Sequence, residues 1–233
     1  MKQIIPGLHS FTGLLVGRAY LIEDADGLTL IDTSLPIAAD RIVRQLEASG
    51  RKANDVKRIL ITHAHPDHVG GLPKLKELTG AQVIASAIDR PVIEGKAPIP
   101  RPPPEKLSGL ARMMPSSGTK VRGTSVDREV GDDETLTEIM GGLQVVFTPG
   151  HSPGHLAFWQ PAKRILFCGD VMMRLPKLRL PFAAFTVDMD ENKRSIRRLA
   201  ELDASIVCFG HGNPLMQDTA QAIRRFARQV GAM

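Results

Sequence analysis

The chain has 233 residues, 42% hydrophobic and 24% charged, enough to bury a large core and ordinary for a globular protein. Thirty Lys and Arg against twenty-five Asp and Glu leave a formal charge of +5, but the excess is scattered, which reads as a solvated basic surface and not a nucleic-acid footprint. One Trp, one Tyr and eight Phe are too few for a base-stacking platform, and no apolar run approaches the about 20 residues that span a bilayer.

The opening residues Met1-Lys2-Gln3-Ile4-Ile5-Pro6-Gly7 lack the apolar stretch of an export signal. Residues 14–22 (LLVGRAYLI) and 28–31 (LTLI) flank the turn-prone Glu23-Asp24-Ala25-Asp26-Gly27, so a hairpin is expected. Asp32-Thr33-Ser34 closes its second strand, Pro36 suits the first turn of a helix, and Ile42, Val43 and Leu46 give that helix an apolar stripe. Val56 to Ile61 reads as a strand running into Thr62-His63. A helix from about Val69 to Thr79, ended by Gly80, and a strand over Gln82 to Ala85 should follow.

Residues 91–123 differ in texture, with Pro91, Pro98, Pro100, Pro102, Pro103, Pro104 and Pro115. Each proline removes a backbone donor, so no sheet ladder runs here. A linker and a loop over a site both fit; Leu107, Leu110, Met113 and Met114, on one face of a short helix, favour a lid. Further strands are expected at Leu143–Thr148, Leu156–Gln160, Ile165–Cys168 and Ile206–Phe209. A last helix from Pro214 to Val230 should turn Ile223, Phe226 and Val230 inward and Arg224, Arg225 and Arg228 outward. Strands interleaved with helices at both ends of the chain imply an α/β protein of two sheets covered by helices. It reads as one domain over 1–233 with the Pro-rich segment as an insertion. Cys168 and Cys208 lie inside apolar runs, where buried thiols suit a reducing compartment, and the expected location is cytoplasmic.

The chemistry lies in the histidines. His63, His65 and His68 crowd behind one apolar strand, His151 and His155 follow a second, and His211 follows a third. Asp170 again ends an apolar run, in Phe167-Cys168-Gly169-Asp170. Any one of these fits a polar strand-end loop. The set, flanked by Gly and Pro, implies loops converging at one edge of the sheets. Imidazole and carboxylate are the donors that Zn²⁺ and related divalent ions prefer. In His63-Ala64-His65-Pro66-Asp67-His68, the alternate residues His63 and His65 can reach one metal, while Asp67 and His68, at the turn into a helix, face a second. Gly70-Gly71 lets the backbone pass closely beneath.

The segment Thr62-His63-Ala64-His65-Pro66-Asp67-His68-Val69-Gly70-Gly71 resembles the signature motif of the metallo-β-lactamase superfamily. Leu30-Ile31-Asp32-Thr33, Thr148-Pro149-Gly150-His151, Gly169-Asp170 and Gly210-His211 follow in the family's order. The resemblance implies an αββα sandwich of two mixed β-sheets flanked by helices, with two divalent ions at one edge. It implies His63, His65 and His151 on the first metal, Asp67, His68 and His211 on the second, and Asp170 bridging both. Zinc is the expected metal, with iron or manganese as alternatives. Asp32 resembles the carboxylate that orients ligand histidines from behind; a helix N-terminal cap is its other reading. The implied reaction is attack by a metal-bridging hydroxide, the metals lowering the water pKa from 15.7 to roughly 7, with catalytic Asp67 orienting the nucleophile and carrying a proton to the leaving group. His155 resembles the second histidine of thioesterase-like and oxygenase-like members, and equally fits a buried histidine bonded to its loop.

Several departures narrow the substrate. Glyoxalase II-like members carry a further helical region that binds glutathione, and this chain ends shortly after His211. The lactonases of the family place a tyrosine three residues after the bridging aspartate, where this chain has Met173. The β-lactamases proper are typically exported. Met172 and Met173 are expected as an apolar pocket wall. Arg174, with Lys177 and Arg179, either holds an anionic group or forms a solvated loop. The expected substrate is a small ester, lactone or thioester. The alternatives are a phosphodiesterase or ribonuclease, a phosphotriesterase-like activity and, further off, an iron-dependent redox member, against which the intact Asp67-His68 pair and the missing flavodoxin-like domain argue. A small molecule is the expected partner; membrane and nucleic acid are not, and a homodimer is left open.

Overall fold

The computed structural model describes residues 1–107, 109 and 118–233. Its first sheet has seven strands in chain order: β1 (Lys2–Ile5), β2 (Leu8–Ser10), β3 (Tyr20–Asp24), β4 (Gly27–Ile31), β5 (Val56–Leu60), β6 (Gln82–Ser86) and β7 (Arg128–Val130). Strands β1 to β4 pair antiparallel and β4 to β7 parallel. A parallel pair needs a crossover long enough to return the chain to the same end. Here α1 (Ala38–Glu47) links β4 to β5, and α2 (Pro66–Val69) with α3 (Leu72–Thr79) links β5 to β6. A short helix, α4 (Arg90–Ile93), follows β6.

The second sheet is formed by β8 (Thr135–Leu136), β9 (Leu143–Phe147), β10 (Leu156–Gln160), β11 (Ile165–Gly169) and β14 (Ile206–Phe209), with β14 parallel to β11 and the other pairs antiparallel. A small ribbon of β12 (Met173–Arg174) and β13 (Leu178–Arg179) follows β11. Helices α5 (Met189–Glu201) and α6 (Thr219–Gln229) cover the sheet's outer face.

Three layers of buried apolar side chains hold this αββα arrangement together. Ile42 and Leu46 of α1 and Leu72 and Leu75 of α3 bury against Leu21, Leu30, Ile59 and Val83. Tyr20, Ile22, Ile31, Leu60 and Ile84 meet Val145, Leu156, Phe158 and Phe167 between the sheets. Ile196, Leu199, Ile223 and Phe226 close over Leu166, Val207 and Phe209. Strands buried on both faces read as continuous apolar runs, which is why β10, β11 and β14 were legible. Both cysteines are free and buried, and among the described residues no helix is long and apolar enough to cross a membrane.

The short strands β1, β2, β7, β8, β12 and β13 and helix α4 were not expected from the sequence, and four larger elements also differ. The first hairpin strand begins at Tyr20, not at residue 14, because residues 12–19 cross over the sheet edge instead of pairing. Gly17 has φ +69° and lies so close to Asp67 that a Cβ there would stand 2.0 Å from its carbonyl oxygen. The helix expected over 69–79 is split at Gly70-Gly71, where a Cβ on either residue would strike the Thr33–Pro36 turn. Helix α6 starts at Thr219, since Leu215 is bonded to Val207 as an isolated bridge. Helix α5 was not anticipated. Its signal is Asp188 as N-cap, accepting from the amides of Asp190 and Glu191, and inward Asn192, Ser195, Ile196 and Leu199 at helical spacing.

In the Pro-rich insertion the Ile99 amide donates to the Thr119 carbonyl at 3.1 Å, joining its two arms. Ile99, Pro100, Arg101 and Thr119 line the cavity described below. Of the apolar face expected there, Leu107 is half-buried; Leu110, Met113 and Met114 lie outside the described residues.

Candidate metal centre

Strands β4, β5 and β6 run parallel in the first sheet, and β9, β11 and β14 share one direction in the second. Their carboxyl ends therefore open toward one edge, where α/β proteins place ligands. Asp32 follows β4, His63 to His68 follow β5, His151 follows β9, Asp170 follows β11 and His211 follows β14.

The side chains converge. His65 Nδ1 lies 3.1 Å from His63 Nε2 and 2.9 Å from His151 Nε2. His211 Nε2 stands 3.1 Å from Asp67 Oδ2 and 3.1 Å from Asp170 Oδ2. Asp170 Oδ2 is also 3.5 Å from His151 Nε2, and its Oδ1 is 3.6 Å from His68 Nε2. Three groups have ligand atoms within 4.8 Å of one another: His63, His65 and His151; His63, His68 and Asp170; Asp67, His68 and His211. Asp170 thus faces both halves of the cluster.

Two observations test whether this donor set fits metal ions. His68 Nε2 and Asp170 Oδ1 are buried with no hydrogen-bond partner among the described residues, a costly state for polar atoms. The nitrogen spacings of 2.9 and 3.1 Å are close to the about 3.3 Å edge of a tetrahedron with metal–nitrogen bonds of about 2.0–2.1 Å. Imidazoles packed this way share too few protons to satisfy one another. The residues fit two divalent ions.

The electrostatics agree for His63, His65 and His151. His68 and His211, which burial would lower but the facing carboxylates raise, would give up a proton to take a metal. Burial first, then the neighbouring imidazoles, hold His63 and His151 well below their ordinary range, and burial with His68 brings His65 down to about 4. These rings are neutral and have lone pairs to offer. Burial would raise Asp67, but His68 and the bond to His211 outweigh it and hold the carboxyl at about 2. Asp170 is likewise held well below its usual value by His68 and His211 despite burial. Burial would lower His211, yet its bonds to Asp170 and Asp67 raise it to about 9.

A second ring of residues fixes these orientations. Asp32 accepts from the Thr62 amide and hydroxyl, each at 2.8 Å, and its Oδ2 lies 2.8 Å from His68 Nδ1. It does not cap α1, whose N-cap is Ile37. His155 is fully buried, and burial pushes it down to about 3. Its Nε2 accepts the Asp170 amide at 3.0 Å while Nδ1 meets Thr148 Oγ1 at 2.8 Å. It therefore faces away from the cluster's centre and holds the backbone of Asp170. The Thr186 hydroxyl lies 3.1 Å from His151 Nδ1.

The model of the metallo-beta-lactamase superfamily matches residues 12–211, a span that includes every residue of the cluster. The chain belongs to the metallo-beta-lactamase superfamily. It is 27% identical to the probable metallo-hydrolase YflN of Bacillus subtilis (strain 168), over 90% of this chain and 85% of that one. It is 30% identical to a hydroxyacylglutathione hydrolase of Methylococcus capsulatus, over 82% of this chain and 59% of the relative. A crystal structure of a metallo-beta-lactamase family protein from Thermus thermophilus superimposes with a TM-score of 0.72 at 25% identity, covering 99% of this chain and 81% of that one. Membership makes the chain a metal-dependent hydrolase.

Asp89 and Thr186 beside the site, and Arg101 in its cavity, escaped the sequence reading. Asp89 is buried beyond β6, where burial raises its carboxyl to about 6 against the hydrogen bonds it accepts. It takes the amide of Ala64 at 3.0 Å, the amide of Gly154 at 3.0 Å and the hydroxyl of Ser152 at 3.3 Å. One carboxylate thus ties the loop of His63 and His65 to the loop of His151. Asp89→Ala is expected to lower kcat/KM by about 10–100-fold, as loss of an outer-shell partner does. Substoichiometric binding of the first metal should accompany it, measured by titration against a colorimetric chelator; unchanged affinity and rate would show that the loops hold themselves.

The cluster opens into a cavity of about 370 Å³. His65, Asp67, His151, Asp170 and His211 form its floor, and Val16, Leu35, Ile99, Met173, Phe182 and Phe185 give it apolar walls. Met173 is one of the lining residues. Met172 is not on this wall, being fully buried in the layer under α5 and α6. Arg174 is not among the lining residues either: its guanidinium donates to the carbonyls of Asn213 and Pro214 at 3.3 and 2.7 Å, bracing the loop behind His211.

Proposed function

We propose that this hydrolase holds two divalent ions, zinc by its nitrogen and oxygen donors, and cleaves a small ester, thioester or lactone. The observation that carries this reading is the cavity, a chamber with apolar walls and a floor of ionisable ligand residues. Its size and lining suit a small apolar acyl group.

His63, His65 and His151 would hold one ion, Asp67, His68 and His211 the other, with Asp170 shared. When bound, the ions supply a hydroxide near neutral pH and a Lewis acid for the substrate oxygen. The chain's own residues then set direction and protonation. Asp67 faces the cavity and is ionised at neutral pH, so it can orient the attacking oxygen and pass a proton to the departing one. Asp32, His155 and Thr186 keep the ligand atoms aimed inward, so little reorganisation accompanies reaction. The apolar walls exclude bulk water and position the acyl portion.

The test combines metal analysis with a substrate panel. The purified chain should hold about two divalent ions and hydrolyse aryl esters, thioesters or lactones from one preparation. Turnover of short RNA alone, or of phosphotriesters alone, would overturn the substrate class. Full activity in a metal-free sample would overturn the chemistry.

A further inference from the structure

Among the described residues lining the cavity, Arg101 is a cation that the reaction described above does not use. Arg101 lines the same chamber as His65, Asp67 and His211, on the arm of the Pro-rich insertion. Its Nε and Nη1 are buried and have no hydrogen-bond partner among the described residues. The guanidinium carbon lies 5.8 Å from the ring centroid of Phe185, another lining residue. The flanking Pro100, Pro102, Pro103 and Pro104 fix φ along this arm and limit how far the side chain's base can move. On neighbouring segments Arg174 lies on backbone carbonyls, Arg179 over the Phe182 ring at 4.7 Å, and Lys106 on Asp188 at 2.8 Å. A charged donor buried without an acceptor is unfavourable unless a ligand supplies one.

We propose that Arg101 determines substrate specificity by pairing with a carboxylate on the substrate, so that the enzyme's natural ester, thioester or lactone is an anion. The guanidinium presents its donors in a planar fork that matches a carboxylate, and the apolar surroundings strengthen the pair. Arg101 and the metal-ligand floor share one cavity of about 370 Å³ with apolar walls, which suits a short aliphatic spacer between that carboxylate and the scissile carbonyl. This rests on the hydrolase reading and narrows its substrate class.

The test uses the zinc-loaded full chain and a matched pair of esters. One is the 4-nitrophenyl monoester of glutaric acid, the other the same ester with its free carboxylate replaced by a carboxamide. The wild-type chain should favour the acid by about 30-fold or more in kcat/KM. In Arg101→Gln the ratio of the two should collapse toward unity through a rise in KM for the acid, and Arg101→Lys should restore part of it. A wild-type ratio near unity, or the same ratio in Arg101→Gln, overturns the proposal. If neither ester is cleaved, the substrate class of the preceding reading fails, and Arg101 is read by binding instead. Glutarate should then raise the melting temperature of the zinc-loaded wild type more than its monoamide does. The difference should vanish in Arg101→Gln, and in Arg101→Met should the first variant not fold. Equal shifts for acid and amide overturn the role of Arg101.

Discussion

Asp170→Ala is expected to bring bound metal from about two ions per chain to about one or fewer, and to lower hydrolysis by at least on the order of 10³-fold. Asp170 faces both halves of the cluster, with Oδ2 3.1 Å from His211 and 3.5 Å from His151, and Oδ1 3.6 Å from His68. Without it the buried His68 Nε2 and the half-exposed His211 lose the carboxylate between them. Asp170→Asn keeps the shape and removes the charge, so it separates lost ligation from lost packing. If both variants retained two ions and near-native rates, Asp170 would not be the shared ligand. Elemental analysis beside initial rates on an aryl ester gives the answer.

The second large effect is removal of the metals by dipicolinate. Hydrolysis should fall to background and return on adding zinc. A ligand at about 1,000 times its dissociation constant contributes about 4 kcal/mol, and each kcal/mol moves the melting temperature of a chain this size by about 2–4 °C. The expected loss is roughly 10 °C for each ion, about 20 °C for two. The metal-free chain should also be acid-labile. His65 and His155, held down to about 4 and about 3 by burial, and His63 and His151, lowered in the same way, are neutral when folded and protonate near 6.5 when unfolded. Stability from these four is present above about 6.5 and is lost as pH falls toward their folded values. Asp89, raised to about 6, and His68 and His211, both raised, act oppositely, but they are three groups against four and each gains less over this range than a depressed histidine loses. Calorimetry between pH 7.5 and 5 on the metal-free chain would show the midpoint falling; a flat or rising midpoint refutes it.

How much of this was legible follows from the range over which each signal acts. His63, His65, Asp67 and His68 sit within six residues, so their spacing alone spoke for a metal site. His151, Asp170 and His211 were legible because each ends an apolar strand, and strand ends in such folds share an edge. Asp89 was not, since its partners are 25 to 65 residues away and all lie on two other loops. Arg101 and the crossing of residues 12–19 were hidden for a related reason: a loop's path depends on what it packs against, and that is tertiary information. The break at Gly70-Gly71 was readable only as permissiveness. The contact that demands it, with the Thr33–Pro36 turn, is set by a segment earlier in the chain.

The cluster draws on both sheets, His63 to His68 from the first and His151, Asp170 and His211 from the second. Backbone and side-chain bonds cross the same line, with the Arg18 amide on the Gly210 carbonyl and the Tyr20 hydroxyl on the Phe209 carbonyl. With the proposed ligands, neither half of the chain would assemble a working centre alone. Reactive chemistry is thereby withheld until the final strand has docked, and uptake of the ions becomes an inspection of finished assembly.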